Sequence, residues 1–88
     1  MQKLKRTAWI KGNVRDAGGA IIPEALVVAE SRDGSLSGRH TDKDGAFVFP
    51  VSAGTWQVHC ILDGKRGENQ SVDVQGGQTI DGVSLRAP

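Results

Sequence analysis

The 88-residue chain predicts an all-β fold, either a sandwich or a barrel, on three observations. First, Phe47, Phe49 and Val51 alternate with Val48 and Pro50, and Trp56, Val58 and Cys60 alternate with Gln57 and His59. Period two on both sides of a turn marks strands with one buried face. Second, turn signals recur about every 8–12 residues, the spacing of sandwiches and barrels. They are Asp16-Ala17-Gly18-Gly19, Asp33-Gly34, Asp44-Gly45, Ala53-Gly54, Asp63-Gly64 with Gly67, and Gly76-Gly77. Third, no segment holds a 3.6-residue period, so helix should be near absent.

Seven strands follow, at about 7–15, 25–31, 36–41, 46–51, 55–62, 69–75 and 78–86. In the first, alternation turns Ile10 and Val14 inward, with Gly12 on the same side where a backbone or a large ring comes close. The second points Ala25, Val27 and Ala29 inward and ends before Asp33-Gly34. The third is short and polar. It runs into Asp42-Lys43-Asp44-Gly45, a tight turn in which Asp side chains cap their own backbone and Gly accepts positive φ. The fourth buries Phe47, Phe49 and Val51, and the fifth Trp56, Val58 and Cys60. Val72 and Val74 anchor the sixth, Val83 and Leu85 the seventh. The same phasing turns Trp9, Leu26 and Val28 outward. If the first two strands pair, these three form one continuous apolar patch, the kind of surface that marks a contact.

Eighty-eight residues make a single small domain. A chain of this size buries roughly 60–65% of its unfolded surface. The expected organisation is a basic N-terminal arm over 1–8 and one β-sandwich domain over 9–88. A net charge of +1 argues against a dedicated nucleic-acid binder. The basic residues are nonetheless biased, since Lys3, Lys5, Arg6, Lys11 and Arg15 all precede the first acid, Asp16. Cys60 stands alone, so no internal disulfide forms, and its inward phase suggests a buried thiol. Met1 is followed by no apolar signal-peptide region, and no stretch is long enough to cross a bilayer. The chain is expected either to work where it is made or to be a piece of a larger exported protein.

Catalytic and metal chemistry find little support. An EF-hand that started at Asp42 would need a bidentate Glu at its twelfth position, which here is Ala53. His59 and Cys60 are adjacent on a strand and face opposite ways, so they form neither a metal pair nor a nucleophilic pair. No catalytic residue, metal ligand or cofactor is therefore assigned.

Three runs of residues resemble the carboxypeptidase regulatory-like domains. They are Gly12-x-Val14-x-Asp16 with Gly19, Pro23, Ala25 and Val27; Thr41-Asp42-Lys43-Asp44-Gly45-x-Phe47-x-Phe49; and Ala53-Gly54-Thr55-Trp56-x-Val58. The resemblance covers roughly residues 10–85. It implies a seven-stranded, transthyretin-like (prealbumin-like) Greek-key β-sandwich of immunoglobulin-like architecture. The family commonly carries Tyr where this chain has Trp56, so the side chain differs while the bulky aromatic is kept. Related 5-hydroxyisourate hydrolases end in Tyr-Arg-Gly-Ser, which the ending Ser84-Leu85-Arg86-Ala87-Pro88 lacks. Crosslinked adhesin relatives use a buried acid where Cys60 stands here.

Members of the family are typically appendages without catalysis. The resemblance thus implies docking, spacing or stabilisation, as in an accessory or decoration subunit on a virion or secretion machine. Its expected contact residues are Trp9, Leu26 and Val28, with Lys3, Lys5 and Arg6 as an electrostatic arm. The partner would be another protein or a second copy, with no nucleic acid and no membrane insertion. The alternative is a carbohydrate-binding or cell-surface accessory domain, with Trp9 as its only aromatic platform.

Overall fold

The computed structural model describes residues 7–88, so Lys3, Lys5 and Arg6 lie outside the described residues. The fold is an all-β sandwich, with no helix among those residues. Its strands are β1 (Ala8–Arg15), β2 (Leu26–Ser31), β3 (Leu36–His40), β4 (Ala46–Val51), β5 (Gly54–Leu62), β6 (Lys65–Arg66), β7 (Gln70–Val74) and β8 (Thr79–Arg86). Seven of these match the predicted strands. The eighth, β6, is a two-residue return that pairs Arg66 with Ile61 and Lys65 with Leu62. It is too short to show any period.

One sheet has the order β4-β1-β8; the other has β3-β2-β5, with β6 and β7 following one another along the far side of β5. The first two strands therefore do not pair. β1 lies antiparallel to β4 and parallel to β8, whereas β2 joins β3 and β5 in the opposite sheet. This overturns the continuous patch expected of Trp9, Leu26 and Val28. Trp9 faces out from one sheet while Leu26 and Val28 face out from the other. Alternation fixes which face a side chain takes, not which strand lies beside it.

Every apolar side chain assigned inward by alternation is buried, and Ala8 joins them, while Gly12 on the same phase is half-buried. These side chains form one core between the sheets, with Phe49, Ile10, Val14, Val27, Val58 and Cys60 fully enclosed. Phe47 and Phe49 stack with ring centroids 5.7 Å apart. Trp56 satisfies its indole N–H by donating to the Ser52 carbonyl at 2.9 Å, which leaves its ring free to pack. Gly12 is required by close approach. A Cβ there would collide with the Val83 carbonyl and come within 2.9 Å of the Phe47 ring. Across from it β8 carries one extra residue, since Ile10 pairs with Ile80 but Gly12 with Val83. Gly82, at φ 77°, makes that bulge.

Two of the turns use one device. Asp16 Oδ1 accepts from the N–H groups of Gly18 and Ala20, and Asp42 Oδ1 accepts from those of Asp44 and Ala46. In each, a glycine three residues after the Asp takes positive φ, Gly19 at 86° and Gly45 at 72°. The Asp42 carboxylate thus serves its own turn, as the sequence suggests.

Candidate functional site

Three surfaces follow from this arrangement. On the outer face of the three-stranded sheet Trp9 is 41% exposed, and its cross-strand partners are Pro50 and Thr79. Val48 lies opposite Lys11 on the same face. Trp9, Pro50 and Val48 therefore make a short apolar strip with Lys11 in it. The patch foreseen around Trp9 has different neighbours from those expected, drawn from β4 instead of β2.

Leu26 and Val28 occupy the outer face of the five-stranded sheet, where both are half-buried. Val28 pairs with His59, and Leu26 pairs with His40 and Ile61. His59 is unusual for an outward-facing residue because only 4% of it is exposed and its Nδ1 has no partner among the described residues. Burial pushes the imidazole below its ordinary range, and the charge of Arg66 adds to this, against a hydrogen bond to Asn69 and the charge of Glu30. The ring is therefore held neutral, a packed spacer between β2 and the segment leading into β7.

The third surface lies at a seam between the sheets. On one side the edge strands β3 and β4 are joined by side chains. Ser37 Oγ donates to the Pro50 carbonyl at 2.7 Å, and an Arg39 guanidinium N–H donates to the Val48 carbonyl at 3.4 Å. Nearby, Thr41 Oγ1 donates to the Ile22 carbonyl at 2.8 Å and accepts from the Ala25 N–H at 2.9 Å. Thr41 is itself buried, so this bond pair ties the β1–β2 link to the end of β3. On the other side, β8 faces the stretch where β6 stops and β7 has not begun. There Gly67 packs against the Arg86 carbonyl, and Cys60 Sγ–H makes a long bond to the same oxygen at 3.6 Å.

That gap opens into a cleft of about 550 Å³ lined mainly by polar groups, chiefly Arg15, Asp16, Glu68, Asn69, Ser84 and Arg86. Its chemistry comes from three segments far apart in sequence. Of these residues only Arg15 and Asp16 carried a sequence signal, as the end of the basic run and the start of a turn. Nothing in the local pattern of Glu68, Asn69, Ser84 or Arg86 marks them, because only strand pairing brings them together. A second groove of about 400 Å³ runs beside the Trp9 face, past Lys11, Asn13, Arg39 and Asp42.

Burial raises the Cys60 thiol above its ordinary range, which suppresses the thiolate that nucleophilic or metal chemistry would need. Among the described residues no cluster of His, Cys, Asp and Glu has the spacing of a metal site. No helix among them is long and apolar enough to cross a membrane.

The fold is shared with solved structures. A Bacillus anthracis protein, the TIE protein, superposes with a TM-score of 0.69 over 88% of this chain at 15% identity, the match spanning 16% of that much longer chain. A candidate carbohydrate binding protein from Pseudomonas aeruginosa superposes with a TM-score of 0.66 at 20% identity, over 96% of this chain and 90% of its own. Both likenesses concern fold. No curated protein matches the sequence. The model of the carboxypeptidase regulatory-like domain family matches residues 9–86, a span from the exposed tryptophan of β1 to the last arginine of β8. The chain therefore belongs to the carboxypeptidase regulatory-like domain family.

Proposed function

We propose that this domain is a non-catalytic accessory module that docks onto a larger protein assembly through the outer face of its three-stranded sheet. The observation that carries the reading is Trp9, a large ring 41% exposed beside Pro50 and Val48. A large, rigid aromatic on a flat sheet face, flanked by apolar neighbours and a single Lys, has the composition of an interface centre. The opposite face offers no exposed aromatic: Leu26 and Val28 are half-buried, His59 fills the space between strands, and its one strongly exposed large apolar residue is the flexible side chain of Leu36 at the edge, paired with Glu30. Lys3, Lys5 and Arg6 stand a few residues before Trp9 in the chain and would supply electrostatic attraction at the same interface.

The test is a photo-crosslinking amino acid placed at Lys11 on the proposed face, and at Glu30 on the other, in the cells that make the protein. A discrete adduct from position 11 that disappears with Trp9→Ala, and is absent from position 30, is the expected result. Equal adducts from both positions, or an adduct indifferent to Trp9→Ala, would sink the reading.

A second reading, a carbohydrate-binding accessory domain, is favoured by one observation: the Pseudomonas aeruginosa structure that matches nearly end to end is described as a candidate carbohydrate binding protein. Saturable quenching of tryptophan fluorescence by a soluble glycan, lost in Trp9→Ala, would favour it over protein docking.

A further inference from the structure

We propose that the polar cleft at the open seam is a binding site for a carboxylated saccharide, with Arg15 and Arg86 as the carboxylate receptors. The inference deepens the carbohydrate reading by naming a site and a ligand class, and it places that site at the far end of β1 from the tryptophan, whose ring does not line it. Arg15 and Arg86 are direct partners across the parallel β1–β8 pair, so their side chains leave the sheet on the same face. Like charges set directly opposite one another destabilise a sheet, and an anion seated between them removes that penalty. Arg15 is already positioned, since one of its guanidinium nitrogens donates to the Gly19 carbonyl at 2.9 Å and the rest of the fork remains to donate. Two guanidiniums side by side match a carboxylate in the bidentate geometry that arginine favours.

The remainder of the lining selects a polyol. Asn69, Gln70, Ser84 and Glu68 supply amide, hydroxyl and carboxylate groups, while Leu85 is turned into the core and shows the cleft little apolar surface. A drug-like or peptide side-chain ligand relies on apolar walls that this cleft lacks, whereas a ring of hydroxyls gives each of those groups a partner. Asp16, in the same lining, commits one carboxylate oxygen, Oδ1, to the N–H groups of Gly18 and Ala20. The volume of about 550 Å³ suits a ligand of one or two sugar rings.

The test is a titration of the isotope-labelled protein, followed by amide shifts, with a glucuronate-terminated disaccharide, with cellobiose and with sodium acetate. The expected result is saturable shifts confined to residues 15–19, 68–70 and 84–86 with the acidic disaccharide, and much weaker binding of the other two. Affinity should fall by about tenfold or more in Arg86→Gln and in Arg15→Gln, each checked for wild-type spectral dispersion. Three results would overturn the proposal: no saturable shift, unchanged affinity in both variants, or equal binding of cellobiose. Acetate that reproduced the disaccharide's affinity would overturn the saccharide assignment and leave a simple anion site. None of these outcomes touches Trp9, so the docking reading stands or falls separately.

Discussion

The two seams of the sandwich differ in what joins them, and the difference decides which of them can open a cleft. Between β3 and β4, Ser37 and Arg39 reach across to backbone carbonyls that an edge strand would otherwise show to solvent. This both ties the sheets and blunts an edge of the kind that templates aggregation. Between β8 and the β6–β7 stretch, Gly67 packs on the Arg86 carbonyl, the side-chain bond across is a weak thiol one, and a cleft remains. A small domain has little stability to spare, so a seam left unsealed in one place while sealed in the other is a place where evolution can vary side chains at low cost.

The largest expected effect sharpens the closed side. Thr41→Val removes the hydroxyl that serves Ile22 and Ala25, and deprives a partly buried carbonyl and a buried N–H of that partner. A loss of about 3 kcal/mol is expected from the denaturation midpoint. A loss below about 1 kcal/mol would mean that the corner is not the tie described. Next comes Gly67→Ala at the open seam. The added Cβ would meet the Arg86 carbonyl at 2.7 Å and Cys60 Sγ at 3.2 Å. With a gap beside it the strand can shift, so a cost of about 1–2 kcal/mol is expected, less than for Thr41→Val. If Gly67→Ala proved the costlier of the two, the open seam would be the tighter one and the comparison would reverse.

The smallest effect is one of pH. His59 is held below its ordinary value of 6.5 in the folded protein, so the unfolded chain binds its proton first. The stability associated with a neutral His59 is complete above pH 6.5 and is lost progressively as the pH falls below it. Thermal unfolding should therefore shift down between pH 7 and pH 5, and His59→Gln should flatten that slope. Because Asn69 lies both beside His59 and in the cleft wall, hydrogen exchange on acidification should rise first at 68–70 and spare β3. Uniform loosening of both seams would count against the distinction.

Most of the core was legible in the sequence, and the reason is physical. Residues such as Val27, Phe49 and Val58 alternate with polar neighbours, and burial of one face is the only way to satisfy that pattern. Gly12 was legible too, because a glycine on the inward phase signals close approach, here of Val83 and Phe47. Pairing was not. Trp9, Leu26 and Val28 share a phase but belong to different sheets, and no local rule says that β1 chooses β4 and β8. The burial of His59 was hidden for a related reason, since an outward position becomes enclosed only when the segment around Asn69 and Arg66 folds beside it. The cleft residues were the least legible, as Arg15 and Arg86 become neighbours only through the pairing of the first strand with the last.

That same pairing has a mechanical consequence. Because β1 and β8 run parallel, the chain comes into the domain at one end of the sheet and leaves it at the other, about 25 Å away for strands of this length. Tension pulling on the two ends would slide these strands along each other, so the hydrogen bonds between them would be stretched together instead of peeling apart one by one. A module wired in this way transmits force in line, and its resistance to stretching rests on the shear strength of a single β1–β8 ladder.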